Sequence, residues 1–159
     1  IARRQRQMCI RDRSDNYPFM YKCRSANSSI IKYRYADVLL LKAEALIMQD
    51  APDLEGAADI IDEVRDRAKL GALPTSVRSN KNVLLNALLK ERRLELAFEG
   101  QRWFDLVRLD KVEEVMNAVY SKDSGRKAQI YTFDKNSYRL PIPQSVIDAN
   151  DKIHQNPGY

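Results

Sequence analysis

Glu91, Glu95 and Glu99 stand four residues apart, with Arg92, Arg93, Arg102 and Arg108 among and after them and Asp105 in the same neighbourhood. Paired carboxylates serve two chemistries: acid and base in glycoside hydrolysis, and oxygen ligation of a hard cation. A general acid must keep a raised pKa, and nearby cations push it the other way. Here Arg is as abundant as the carboxylates, so every carboxylate has a candidate partner. The favoured reading is structural: an Arg/Glu/Asp lattice of Glu91, Arg92, Glu95, Glu99, Arg102, Asp105 and Arg108 that fixes two successive helices together. The other candidates carry less. His154 is the single histidine, in a tail beside Gln155 and Asn156, and reads as a surface residue rather than a metal ligand. Trp103 and Phe104 could stack on a sugar face, but beside Leu106 and Val107 in an amphipathic helix they read as core. Tyr131, Tyr138 and Tyr159 fall in the irregular tail and are freer to meet a ligand, although nothing in their spacing assigns one. No catalytic residue, metal ligand or cofactor is expected, and no ligand-binding residue is assigned.

The element that carries the stripe is a helix predicted from Val83 to Glu99, whose apolar line through Leu84 and Leu88 runs into Glu91, Glu95 and Phe98. Carboxylates thus fall where the core stripe should continue. Gly100 suits the left-handed position that ends such a helix, and a fourth helix is predicted from Gln101 to Leu109, with a short continuation from Val112 to Tyr120. Two helices precede these. The first, Tyr35 to about Gln49, has its stripe at Ala36, Leu39, Leu40, Ala43, Leu46 and Ile47, with Asp37, Lys42 and Glu44 off it. The second follows the turn Asp50-Ala51-Pro52-Asp53, buries Ala57, Ile60, Ile61, Val64 and Ala68, and stops at Gly71. So short a turn makes them antiparallel neighbours, and the small residues Ala45 and Ala57 suit the close crossing of a tetratricopeptide-like hairpin. Residues 72–82 read as a polar connection. Ser121 to Lys127 is a loop, Ile130 to Phe133 is β-prone, and the two prolines of Tyr138 to Pro143 make an extended stretch that cannot be a central strand. The predicted fold class is mainly α: tetratricopeptide-like antiparallel helical hairpins followed by an extended, irregular C-terminal tail.

The chain has 159 residues with 27 basic and 22 acidic side chains, a formal charge of +5. That excess would suggest nucleic acid if it lay on one face of a fold. Instead, residues 1–27 carry seven basic and two acidic side chains, and the rest of the chain is neutral. Within that segment, Met8-Cys9-Ile10-Arg11-Asp12-Arg13 resembles the translation of a transposon mosaic-end sequencing adaptor. Residues 1–13 are therefore expected to be a non-native or disordered basic segment, without which the chain is nearly neutral, and nucleic acid is not an expected partner. Apolar runs such as Val38–Leu41 are broken by charge at Lys42, so no bilayer span is expected. No secretory leader is expected in residues 1–7, and Cys9 and Cys23 form neither a disulfide scaffold nor a zinc site.

Several strings together resemble the SusD/RagB family of outer-membrane nutrient-binding lipoproteins. They are Arg34-Tyr35-Ala36-Asp37-Val38-Leu39-Leu40, Ala43-Glu44-Ala45-Leu46 and Val64-Arg65-Asp66-Arg67-Ala68, then the run from Glu91 through Gly100 to Arg108. Leu140-Pro141-Ile142-Pro143 and Gln155-Asn156-Pro157-Gly158-Tyr159 complete the set, so the likeness covers about residues 30–159. The resemblance implies that residues 14–159 are the C-terminal part of a helical domain with tetratricopeptide-like hairpins. It implies a non-catalytic scaffold in a surface-exposed outer-membrane protein that binds oligosaccharide and works with a TonB-dependent, SusC-like transporter. Membrane attachment would come only through a lipid anchor of the longer parent. Arg34, Tyr35, Asp37, Glu44, Gly100, Pro141, Pro143, Asn156, Pro157 and Gly158 carry over as scaffold; the resemblance carries over no sugar contact. The alternative from another class is a free-standing helical-repeat module that docks a partner protein.

Overall fold

The computed structural model describes residues 10–12, 18–20, 31–122 and 132–159, and the chain divides into two compact units, Ile1–Arg102 and Trp103–Tyr159. The expectations for Cys9, Cys23 and Tyr131 lie outside the described residues, as does most of the Ser121 to Lys127 loop.

In the first unit, apolar residues at intervals of three and four produce α1 (Tyr35–Met48), which buries Leu40, Ala43 and Ile47. Asp37 and Glu44 are buried on the same helix, a correction to the prediction that placed them off its stripe. Three residues before Leu40, Asp37 shares the core face, which is why it is inside. Asp53 caps α2 (Leu54–Arg67) by accepting a hydrogen bond from the Gly56 N–H at 2.9 Å. This helix buries Ala57, Ala58, Ile61 and Val64. Ala43 joins Ala57 and Ala58 in the core cluster whereas Ala45 is exposed, so the small residues of the crossing are not the pair predicted. Nor does α2 stop at Gly71. Lys69 takes a positive φ of 58°, and the Lys69 and Leu70 N–H groups bond the Asp66 and Arg65 carbonyls at 2.8 and 2.9 Å, a Schellman ending without glycine.

The predicted polar connection contains a one-turn helix, α3 (Thr75–Arg78). Next, α4 (Lys81–Glu95) starts two residues earlier than predicted because the Asn80 side chain accepts from the Asn82 and Val83 N–H groups at 3.0 and 3.2 Å. Its Leu84 and Leu88 complete the core with α1 and α2. It also ends a turn earlier than predicted: Leu96 is its C-cap, and Phe98 and Gly100 lie at φ of 66° and 79°. Glu99 is therefore off the helix and shares no helical face with Glu91 and Glu95. Near the N-terminus, β1 (Ile10–Asp12) and β2 (Pro18–Met20) pair antiparallel with Arg11 opposite Phe19, a short hairpin the sequence did not suggest.

The second unit begins one residue into α5 (Arg102–Arg108) and continues with α6 (Val112–Lys122), a 3-10 turn at Lys135–Tyr138 and α7 (Gln144–Asp148). The last two lie in what was predicted as an irregular or extended tail. A capping box between Asp134 and Ser137 forms the 3-10 turn, and Pro143, with φ of −55°, directly precedes α7. The fold is mainly α, with a helical hairpin ahead of an extended C-terminal stretch.

Candidate functional site

The carboxylates of α4 sit at the centre of a charge lattice in the first unit. Arg34, the extended residue that precedes α1, aims its whole guanidinium at the end of α4. Its Nε lies 2.9 Å from Glu99 Oε2, its Nη1 lies 2.5 Å from Glu95 Oε1, and its Nη2 donates to the Glu95 carbonyl at 2.5 Å. A helix end leaves carbonyls unpaired and carries partial negative charge, so this cation both caps and neutralises it. Burial lowers the Arg34 pKa, but the hydrogen bonds and charges of Glu99 and Glu95 together raise it above the ordinary value. Arg67, in the last turn of α2, also reaches Glu95 Oε1. Arg65, one half-turn earlier, pairs with Glu91 Oε2 at 3.2 Å and holds the Gly71 carbonyl through Nε and Nη2 at 3.0 and 2.8 Å.

Arg92 serves α1 instead. It is 2 % exposed, and its Nη2 lies 2.9 Å from Asp37 Oδ1, with Nη1 3.5 Å from the Asp37 carbonyl. Asp37 Oδ1 has no aligned hydrogen-bond donor, so charge at contact distance rather than a directed bond holds it. Placing such a charge in the interior costs several kcal/mol unless it is compensated, which makes the two side chains interdependent.

These pairs revise the choice of cations. Proximity in sequence pointed to Arg92, Arg93, Arg102 and Arg108; the guanidiniums at Glu91, Glu95 and Glu99 include Arg65, Arg67 and Arg34, which arrive from other elements. Arg93 is exposed, and Arg102 donates to the Leu89 carbonyl at 3.0 Å. In the second unit Arg108 pairs with the buried Asp105 at 3.0 Å. The roles of Arg65 and Arg67 were missed. Their position in the last turn of α2, separated from a hydrophobic stripe by the hairpin's own periodicity, was the available signal.

A second cluster decorates the outside of α2. Arg78 of α3 contacts Glu55, Asp59 and Asp62, the last two at 2.8 and 2.7 Å, while Asp62 Oδ1 accepts from the Leu73 N–H at 2.8 Å. The hydrogen bonds that Arg78 donates to Asp62 and Asp59, with the charge of Glu55, raise its pKa. One arginine thereby fastens the 72–82 connection along its hairpin helix.

In the second unit, side chains serve the backbone. The Gln155 amide accepts from the Ile142 N–H at 2.8 Å and donates to the Ile142 carbonyl at 2.9 Å, as a neighbouring strand would. Asn156 donates to the Leu140 carbonyl at 2.7 Å. Pro141 and Pro143 bracket this clasp and have no N–H to satisfy. Gly158 has φ of 96°, and a Cβ there would stand 2.9 Å from that of Asn136, so only glycine fits. Tyr138 donates its hydroxyl to Asp110 Oδ1 at 2.6 Å, which pushes the Tyr138 pKa up to about 12. Trp103 is half-buried and packs against Phe133 with ring centroids 6.3 Å apart, but Phe104 is 64 % exposed, so its assignment to the core is corrected. His154 and Tyr159 are exposed.

Glu95 thus meets the guanidiniums of Arg34 and Arg67, and Glu91 meets that of Arg65. Among the described residues no group of three His, Cys, Asp or Glu side chains could hold a metal ion, and no helix is long and apolar enough to cross a membrane.

A helical hairpin whose buried carboxylates meet arginines from neighbouring elements defines a structural scaffold. The chain belongs to the SusD family, whose profile matches residues 7–159, beginning inside the segment 1–13 that was set apart above. It is 36 % identical over 143 residues to SusD-like protein P2 of Formosa agariphila, covering 86 % of this chain and 27 % of that one. A SusD-like protein of Bacteroides fragilis superposes with a TM-score of 0.65 at 29 % identity, over 91 % of this chain and 29 % of its own. A laminarin-binding SusD-like protein does so with a TM-score of 0.55 at 39 % identity, over 80 % of this chain and 22 % of its own. The chain thus spans roughly a quarter of the length of these relatives.

Proposed function

We propose that the chain is the scaffold portion of a surface-exposed glycan-binding protein of the outer membrane, one that works with a TonB-dependent, SusC-like transporter and is not an enzyme. The observation that carries the reading is the likeness, at 39 % identity, to a SusD-like protein that binds laminarin. The engagement of Glu91 and Glu95 by Arg65, Arg67 and Arg34 supports the non-catalytic part. In this reading Glu91, Arg92, Glu95, Glu99, Arg102, Asp105 and Arg108 hold the scaffold, with Arg34, Tyr35, Asp37, Glu44, Gly100, Pro141, Pro143, Asn156, Pro157 and Gly158 setting its shape. Residues 14–159 are the C-terminal part of the helical domain. Sequencing the source locus tests that boundary: residues 1–13 encoded in unbroken genomic context would remove it.

The function is tested with the full-length protein and laminarin oligosaccharides by titration calorimetry and a glycan array, with reducing ends measured in parallel. Saturable binding to a glycan with no released ends is expected. Binding to no glycan, or steady release of reducing ends, would overturn the reading.

A further inference from the structure

We draw no further inference here: the strongest candidate, the exposed aromatic surface that Tyr33, Tyr35 and Phe98 present beside the ion-paired Arg34 and Glu99, carries none because nothing in the structure shows what covers it.

Discussion

The two units hold themselves together by different means. Up to Arg102 the chain folds around an apolar cluster and then sets charges into its margin, with Arg92 and Asp37 buried as a pair and Arg34 closing the end of α4. From Trp103 onward much of the order comes from side chains bonded to backbone: Gln155 to Ile142, Asn156 to Leu140, Asn117 to Phe133. Charge compensation in an interior is all or nothing, because removing one partner strands the other. An amide clasp at a surface yields in small steps, since water replaces what is lost. The buried pairs of the first unit should therefore be brittle toward single substitutions and the amide clasp of the second tolerant.

The largest effect is expected from Arg92→Met, which leaves Asp37 without its cation and should cost about 3 to 5 kcal/mol. The double variant Arg92→Met/Asp37→Leu should recover much of that loss in urea unfolding; no recovery would mean that the two charges act independently. Arg34→Ala comes next, at about 2 to 3 kcal/mol, with amide exchange accelerated most in the last turn of α4. In the second unit Gln155→Ala should cost only about 1 to 2 kcal/mol and raise exchange at Ile142 without touching α4.

The smallest effect is a pH dependence at Asp110 and Tyr138. The Tyr138 hydroxyl, then the Lys135 charge, hold the Asp110 pKa below its usual value. That contribution is present above the unfolded carboxylate pKa of about 4 and is lost as pH falls through the depressed folded value. Tyr138, raised to about 12 by Asp110, contributes below the unfolded tyrosine value of about 10 and loses it as pH climbs through about 12. Tyr138→Phe should flatten both limbs of the urea midpoint against pH; an unchanged profile would show that this contact does not contribute.

Much of the first unit was legible because periodicity reports burial directly: Leu40, Ile47, Ile61, Val64 and Leu88 fall where a 3.6-residue repeat puts them. What escaped was set by distant chain. Arg34 determines how α4 ends, yet it stands 61 residues before Glu95, and no local rule could carry Glu99 off the helix. The left-handed Lys69 and Phe98 escaped too, because glycine was the expected carrier of that conformation and Gly71 and Gly100 stood nearby. In the tail, two prolines correctly argued against a central strand, but the strand-like partner is a glutamine side chain thirteen residues away, which no backbone pattern reveals.

In the proposed reading the carboxylates of α4 hold structure rather than do chemistry. Glu95→Gln in the full-length protein tests it most directly, since it keeps the shape and removes the charge that meets Arg34 and Arg67. A loss of stability of about 3 kcal/mol is expected, with the affinity for laminarin oligosaccharides unchanged. An unchanged unfolding midpoint together with lost glycan binding would contradict it.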